Sequence, residues 1–238
     1  MSDFFNSLLF GIYPYIALVV LILGSIIRYD REPYTWRSGS SQLLRRRQLI
    51  WGSVLFHLGV LFIFAGHLVG LLTPIVIFDT LGISHSAKQT LAVVAGGIAG
   101  SMAIVGATLL VHRRLFDPRV RASSSTTDTL IIILLWVQLF LGLSTIPTSL
   151  AHLDGHEMVK FMNWAQGIFT FNPEAASYVA DAALVFKLHL FLGLTIFLLF
   201  PFTRLVHMLS APVRYLWRPG YQVVRQRNGS SVNRAPAE

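Results

Sequence analysis

The chain has 238 residues, of which 54% are hydrophobic and only 13% charged, and its formal net charge is +8. A mean hydropathy of +0.61 excludes an ordinary soluble domain. The chain contains no cysteine, which excludes disulfides, iron–sulfur clusters and thiolate metal sites of its own. The basic residues form no nucleic-acid-binding motif, and anionic lipid accounts for the positive charge.

Five apolar stretches are long enough to cross a bilayer core of about 30 Å, which takes about 20 helical residues. They cover residues 4–27, 48–73, 89–111, 129–147 and 182–208. The first lacks a signal-peptide pattern, so we expect it to remain as a helix. The sequence therefore predicts an all-α integral membrane bundle of five transmembrane helices over residues 1–225. Residues 226–238 are predicted to be a polar, disordered cytoplasmic tail.

The lysines and arginines predict how the bundle is oriented. Six arginines lie in 28–47, four in 112–128 and six more from Arg204 to Arg234, whereas the other connections contain only three lysines. Because positively charged connections stay in the cytoplasm, the N-terminus is predicted to be outside and the C-terminus cytoplasmic. The long outer connection, 148–181, contains Trp164 and is predicted to form a short amphipathic helix that covers the outer end.

Four histidines lie inside the apolar stretches: His57 and His67 in the second, His189 and His207 in the fifth. Ionisable residues at membrane depth are costly and usually functional, and neutral imidazole is a common metal ligand. The second helix runs outward and the fifth inward, so the inner two histidines and the outer two share a depth. We predict two haem groups with bis-histidine ligation. His57 and His207 would bind the inner iron, and His67 and His189 the outer iron, for electron transfer.

Helical geometry sets two conditions on this arrangement. Ten residues separate His57 from His67 by about 15 Å, and eighteen separate His189 from His207 by about 27 Å if both helices are continuous. Helix tilt is predicted to absorb the difference, which places the haem centres about 20 Å apart. Eighteen residues are about five full helical turns, so His189 and His207 are predicted to share one helix face. Four glycines of the second helix would serve either close approach of a macrocycle or helix packing: Gly52, Gly59, Gly66 and Gly70.

Second-sphere partners are predicted from helical spacing. Ser53 and Thr203 each lie four residues before a histidine and would accept a hydrogen bond from its second ring nitrogen. Cations near the inner end, which would pair with haem propionates or with lipid phosphates, are Arg204, Arg45, Arg46 and Arg47. The other four histidines are expected to be polar surface residues, unless His152 and His156 form a metal-binding pair within one helix.

Short motifs along all five predicted helices point to a known family. They include Tyr13-Pro14-Tyr15-Ile16, Arg28-Tyr29-Asp30, Leu55-Phe56-His57-Leu58-Gly59, Gly66-His67, Leu72-Thr73-Pro74, Trp164-Ala165-Gln166 and Phe200-Pro201-Phe202-Thr203-Arg204-Leu205-Val206-His207. Between about residues 10 and 225 the chain resembles the gamma subunit of respiratory membrane-bound nitrate reductase. It departs from that family mainly in the outer loop 75–87 and in its longer tail.

The resemblance implies a dihaem cytochrome b in the cytoplasmic (inner) membrane of a bacterium or archaeon. Such a subunit oxidises menaquinol or ubiquinol near the outer face, and the family pairs the same histidines. Its partners would be a cytoplasmic iron–sulfur subunit and a molybdenum catalytic subunit that reduces nitrate. This chain would then contribute quinol dehydrogenation but no nitrate-reducing centre and no bond-making catalytic residue. The resemblance also implies a quinol site at Lys88, Gly66 and His67.

Three alternatives remain open from the sequence. The chain could be the cytochrome b subunit of another quinone-linked oxidoreductase, either heterodisulfide-reductase-like or associated with sulfite reduction. It could instead be a transporter that uses the histidines as a proton relay, which would bind no haem and would contain broken helices or inverted repeats. A purely structural anchor is the third possibility, and it gives no reason for histidines at matched depths.

Overall fold

The computed structural model describes residues 3–36 and 44–210, and these are predominantly helical. Within these described ranges, five helices are long and apolar enough to cross a membrane, and a further helix lies between the last two of them. They are α1 (Asp3–Arg31), α2 (Arg46–Leu72), α3 (His85–Phe116), α4 (Thr126–Ala151), α5 (His156–Phe169) and α6 (Leu184–Phe202). The predicted all-α bundle with five spanning helices is confirmed. The predicted tail, 226–238, lies outside the described residues.

Residues Met1–His207 form one compact unit. At one end Arg28 donates to the carbonyl oxygens of Pro201 and Thr203 at the end of α6, and Arg45 pairs with Asp117 between α3 and α4. At the opposite end Gln166 of α5 donates to the carbonyl oxygens of Leu71 and Thr73 at the end of α2. Successive connections therefore lie at alternate ends of the bundle, as five crossings require. We keep the names inner and outer for them, as the charge pattern predicts.

Helix α5 confirms the amphipathic helix predicted for the outer connection. Its buried residues include Met162, Trp164 and Ile168. The Trp164 indole nitrogen donates to the carbonyl oxygen of Phe10, 2.9 Å away. That carbonyl lies in a π-helical turn of α1, Leu8–Ile12, just before Pro14, which lacks a backbone donor. The indole thus ties α5 to the outer end of α1.

Glycines bring α2 and α3 into direct backbone contact along the inner part of the bundle. A Cβ atom on Gly59 would lie 2.6 Å from the carbonyl oxygen of Ala99 and 2.7 Å from the amide nitrogen of Ala103. Small residues at such crossings let helices pack closely in a membrane. By contrast, a Cβ on Gly66 or Gly70 would meet nothing within 4 Å. The glycines of α2 therefore divide into packing positions and positions that face open space.

The end of α6 differs from the prediction of one continuous helix over 182–208. Its α-helical part stops at Leu199 and is followed by a 3-10 turn, Phe200–Phe202. Thr203 is extended, with φ −121° and ψ 178°, and a second 3-10 segment spans Arg204–Ser210. Pro201 explains the break because it lacks an N–H donor and clashes with the preceding helical turn. The prediction that His189 and His207 share a face of one helix is therefore wrong.

Candidate cofactor site between two helices

Two histidine rings of α2 each lie opposite a second histidine ring, one in α6 and one in the 3-10 segment that follows it. The ring centres of His57 and His207 are 6.2 Å apart, with 67° between the ring planes. Those of His67 and His189 are also 6.2 Å apart, with 41° between the planes. Helix α2 packs mainly against α3, whereas α6 packs mainly against α1 and α4. The structure thus brings together the same two pairs that helix direction predicted.

The spacing of the rings can be compared with that of two imidazoles on one metal. An imidazole nitrogen bonds a transition metal at about 2.0 Å and lies about 1.2 Å from its ring centre, so two opposed ligands have centres about 6.4 Å apart. Both observed separations, 6.2 Å, agree with this value within 0.2 Å. Within the described residues no group of three or more His, Asp or Glu side chains could hold an ion. Each pair supplies two imidazole donors, and this donor set fits a metal that brings its remaining ligands with it, as haem does.

Hydrogen bonds at Nδ1 orient three of the four rings. His57 Nδ1 lies 2.7 Å from the Ser53 carbonyl oxygen and 3.2 Å from its hydroxyl, and His67 Nδ1 lies 2.8 Å from the carbonyl oxygen of Ile63. His207 Nδ1 hydrogen-bonds the carbonyl oxygen of Arg204. When Nδ1 carries the proton and donates it, Nε2 keeps a free lone pair. This arrangement is the one that a metal-binding imidazole needs.

The prediction for Ser53 agrees with the structure, but the one for Thr203 is wrong. The Thr203 hydroxyl donates to the Phe200 carbonyl oxygen, 3.1 Å away, and accepts from the amide of Leu205 at 3.3 Å. The reason lies in the 3-10 geometry of the segment that contains His207. A 3-10 turn brings the carbonyl three residues back, that of Arg204, next to the ring instead of a group four residues back.

His189 is held by residues of α4 that the sequence analysis missed. The Gln138 side-chain amide donates to the His189 carbonyl oxygen at 3.1 Å and lies 3.5 Å from its Nε2. A Cβ atom on Gly142 would lie 3.0 Å from His189 Cε1, so this glycine leaves room for the ring. Gln138 is a polar side chain inside a highly apolar helix, and that signal could have identified it.

Lys88 is buried where α2, α3 and α5 meet. Its Nζ atom donates to the Gly70 carbonyl oxygen at 3.1 Å and contacts the Met162 sulfur at 2.9 Å. It also lies 3.7 Å from the centre of the Phe78 ring. Because Gly70 is about one helical turn from His67, the ammonium group lies next to the outer histidine pair. Gly66, on the same helix, faces open space, so the three residues that the resemblance singles out occur in one region.

The inner arginines engage carboxylates. Arg204 contacts Asp128 through two nitrogens, at 2.8 and 3.2 Å, and Arg45 Nε lies 2.7 Å from Asp117 Oδ2. The pKa of Asp117 is lowered, chiefly by the amide of Val120 and also by Arg45. Arg46 and Arg47 are exposed at the start of α2. Their predicted pairing with propionates remains a prediction.

The remaining histidines lie apart from the two pairs. His85 is 3.2 Å from Asp79, and His112 is 3.1 Å from the Gln48 side chain. His152 caps the end of α4, whereas His156 begins α5 after Gly155, which has a φ of +84°. Since the chain turns between them, His152 and His156 do not lie on one helical face, and the condition for a metal-binding pair is not met.

Comparison with known proteins finds relatives over nearly the whole chain. The family described as nitrate reductase gamma subunit matches residues 6–227. The respiratory nitrate reductase 1 and 2 gamma chains of Escherichia coli (strain K12) are each 49% identical over 95% of this chain and 100% of the relative. The nitrate reductase gamma chain of Bacillus subtilis (strain 168) is 40% identical over 94% of this chain and 99% of the relative. The resemblance is confirmed, and the chain belongs to the family of nitrate reductase gamma subunits.

Proposed function

We propose that this membrane subunit is a dihaem cytochrome b that oxidises quinol and passes the electrons to a respiratory nitrate reductase. The observation that supports this most is the presence of two histidine pairs, one above the other, with equal ring-centre separations of 6.2 Å. His57 and His207 would hold the inner haem b, and His67 and His189 the outer one. A haem held by two histidines would supply one-electron transfer rather than ligand binding.

The chain's own residues have distinct roles in this proposal. The carbonyl oxygens of Ser53, Ile63 and Arg204 fix the rings and make Nε2 the ligating atom. His57 and His67 are exposed on α2, where the buried residues are Gly52, Phe56 and Gly59. A polar ring at membrane depth is stable when partnered, so metal ligation also explains why these two side chains are tolerated there.

The quinol site is proposed at the outer end, at Lys88, Gly66 and His67. Oxidation of a quinol releases two electrons and two protons. The buried ammonium group of Lys88 would donate a hydrogen bond to a quinol oxygen, and the open space at Gly66 would admit the ring. Release of the protons at this end and departure of the electrons toward the other would build a membrane potential. The substrate class is menaquinol or ubiquinol.

The partners follow from the family and from the charge of the chain. The names of the E. coli relatives describe gamma chains of respiratory nitrate reductases. We propose that the inner, arginine-rich end faces the cytoplasm of a bacterium or archaeon and docks an iron–sulfur subunit. A molybdenum subunit would reduce nitrate, and this chain would anchor both in the cytoplasmic membrane. The family match favours nitrate over the acceptors of heterodisulfide-reductase-like or sulfite-reduction-associated complexes.

Replacement of single histidines tests the ligand assignment in the assembled complex. His207→Ala and His189→Ala should each leave one haem per chain, with different remaining spectra, whereas the control His112→Ala should keep both. Two haems in either pair variant would contradict the assignment. A proton-relay transporter would also contain a broken helix, as at Pro201, but it would bind no haem, so the haem content separates the two functions.

The quinol site has a matched lysine pair for its test. Lys187 donates to the Ala180 carbonyl oxygen at the outer end and is absent from the proposed site. Lys88→Ala should slow quinol-driven haem reduction severalfold at unchanged haem content, whereas Lys187→Ala should not. Equal rates for wild type and Lys88→Ala would eliminate the site.

A further inference from the structure

The break at the end of α6 leaves backbone carbonyls that one arginine of α1 satisfies. Arg28 Nη1 donates to the carbonyl oxygens of Pro201 and Thr203, at 2.6 and 2.8 Å. The last carbonyls of a helix have no partner within the helix and need one elsewhere. These two belong to the residues through which the chain leaves the helix axis. Arg28 therefore holds the turn itself.

The guanidinium group is held in turn by the segment that follows α1. Its Nη2 donates to the Thr35 carbonyl oxygen at 2.9 Å, and its Nε to the Thr35 hydroxyl at 3.3 Å. That hydroxyl donates to the Glu32 carbonyl oxygen at 2.9 Å. Four of the five N–H donors of the arginine are thus used within the chain. This favours a structural task for Arg28 over binding of an external anion.

One helical turn before Arg28, α1 packs closely against the residues at which α6 breaks. A Cβ atom on Gly24 would lie 2.8 Å from Cγ of Pro201. The proline ring therefore packs against the α1 backbone where only glycine fits. Gly24 and Arg28 together fix where the chain turns and in which direction it continues.

The inner histidine is only four residues beyond this turn. The Thr203 hydroxyl accepts a hydrogen bond from the amide of Leu205, in the first turn of the 3-10 segment Arg204–Ser210. Within that segment the His207 ring is fixed by the Arg204 carbonyl. The outer His189, in contrast, lies in the regular part of α6, a full ten residues before its α-helical end at Leu199. A disturbance at the turn should therefore reach only one of the two pairs.

We propose that Arg28 is a positioning residue for the inner histidine pair, acting through the carbonyls of Pro201 and Thr203. The inference rests on the proposed function, since it concerns the geometry of an inner haem. It predicts that the α1 guanidinium controls the ligand field of the inner haem without touching it, while the outer haem is independent of it.

The test uses Arg28→Gln in the assembled complex, with Arg31→Gln as the control. Arg31 ends the same helix and is exposed, and within the described part of the chain its ion pair is the 3.7 Å contact to Asp30. The readouts are haem per chain, the low-spin EPR g values and the midpoint potential of each haem. The His207→Ala variant, which should keep only the outer haem, assigns the signals of that haem. We expect Arg28→Gln to shift the inner g values and potential, or to lower inner occupancy at least twofold, with the outer signals unchanged.

Arg28→Lys is the second variant, because it keeps the charge but cannot reach both carbonyls and Thr35 at once. It should shift the same inner signals by less. Inner signals that match wild type in both variants would overturn the inference, and so would equal loss of both haems, which marks general destabilisation. Wild-type protein without haem would overturn the proposed function instead, so the two failures are distinguishable.

Discussion

The contact between α2 and α3 can be tested by a single added methyl group. In Gly59→Ala the new Cβ would lie 2.6 Å from the Ala99 carbonyl oxygen, whereas ordinary contact begins at 3.4 Å. The two helices must therefore separate locally by about 0.8 Å. Because α3 is also packed against α4, we expect α2 to move. Helix α2 contains His57 two residues away.

The energies have opposite signs. Overpacking costs about 1–3 kcal/mol, and replacing a helical glycine with alanine returns about 1 kcal/mol. The net loss for Gly59→Ala should be up to about 2 kcal/mol. Metal–ligand distances tolerate shifts of only about 0.2 Å, so a displacement four times larger should lower the occupancy of the inner haem. The outer pair, whose His67 lies about 12 Å from Gly59 along α2, should be affected less.

The matched control is Gly96→Ala in α3, where a Cβ would meet nothing within 4 Å. It gains helix propensity without a clash, so its thermal midpoint should equal or exceed that of wild type. The assays are haem per chain and the thermal midpoint of the detergent-solubilised complex. If Gly59→Ala matched Gly96→Ala in both, the inferred backbone contact would be refuted.

Three further perturbations address the outer end. Gly66→Leu should fill the proposed quinol space and slow quinol-driven haem reduction severalfold at unchanged haem content; an unchanged rate would exclude that space as the binding site. Trp164→Phe leaves the Phe10 carbonyl oxygen without its donor and should cost about 1–3 kcal/mol, seen as a lower thermal midpoint; an equal midpoint would contradict the role of the indole. The hydrogen bond from Lys160 lowers the pKa of Asp181. The Asp181 carboxylate therefore stabilises the fold above its unfolded pKa of about 3.9 and loses that small contribution as the pH falls through its folded value. The protection factors of the α5 amides against hydrogen exchange should accordingly fall in acid in wild type, but start lower and change less in Asp181→Asn; identical acid profiles would argue against the pair.

Helix count and histidine pairing could be predicted because they depend on local hydropathy and on chain direction. Each apolar stretch must cross the bilayer, and successive crossings alternate, so residues such as His57 and His207 come to the same depth whatever the details of packing. The amphipathic α5 was likewise visible in its own residues, with Trp164 on its buried face.

The end of α6 could not be predicted in the same way, because distant residues determine it. Residues 182–208 are apolar enough to read as one helix, and proline is tolerated in many transmembrane helices. Here Pro201 packs against Gly24, and its carbonyl oxygen accepts a hydrogen bond from Arg28. Both residues lie more than 170 positions earlier in the chain. No local pattern contains that contact. The burial of Lys88 depends in the same way on Met162 from α5.

The central claim is that the two histidine pairs hold two haems, and a haem count tests it most directly. We would purify the complex from haem-replete cells and measure a pyridine haemochrome together with a reduced-minus-oxidised spectrum. The account predicts two b-type haems for each copy of this chain, both reducible by quinol. A complex that contains this chain in full amount but no b-type haem would contradict the account.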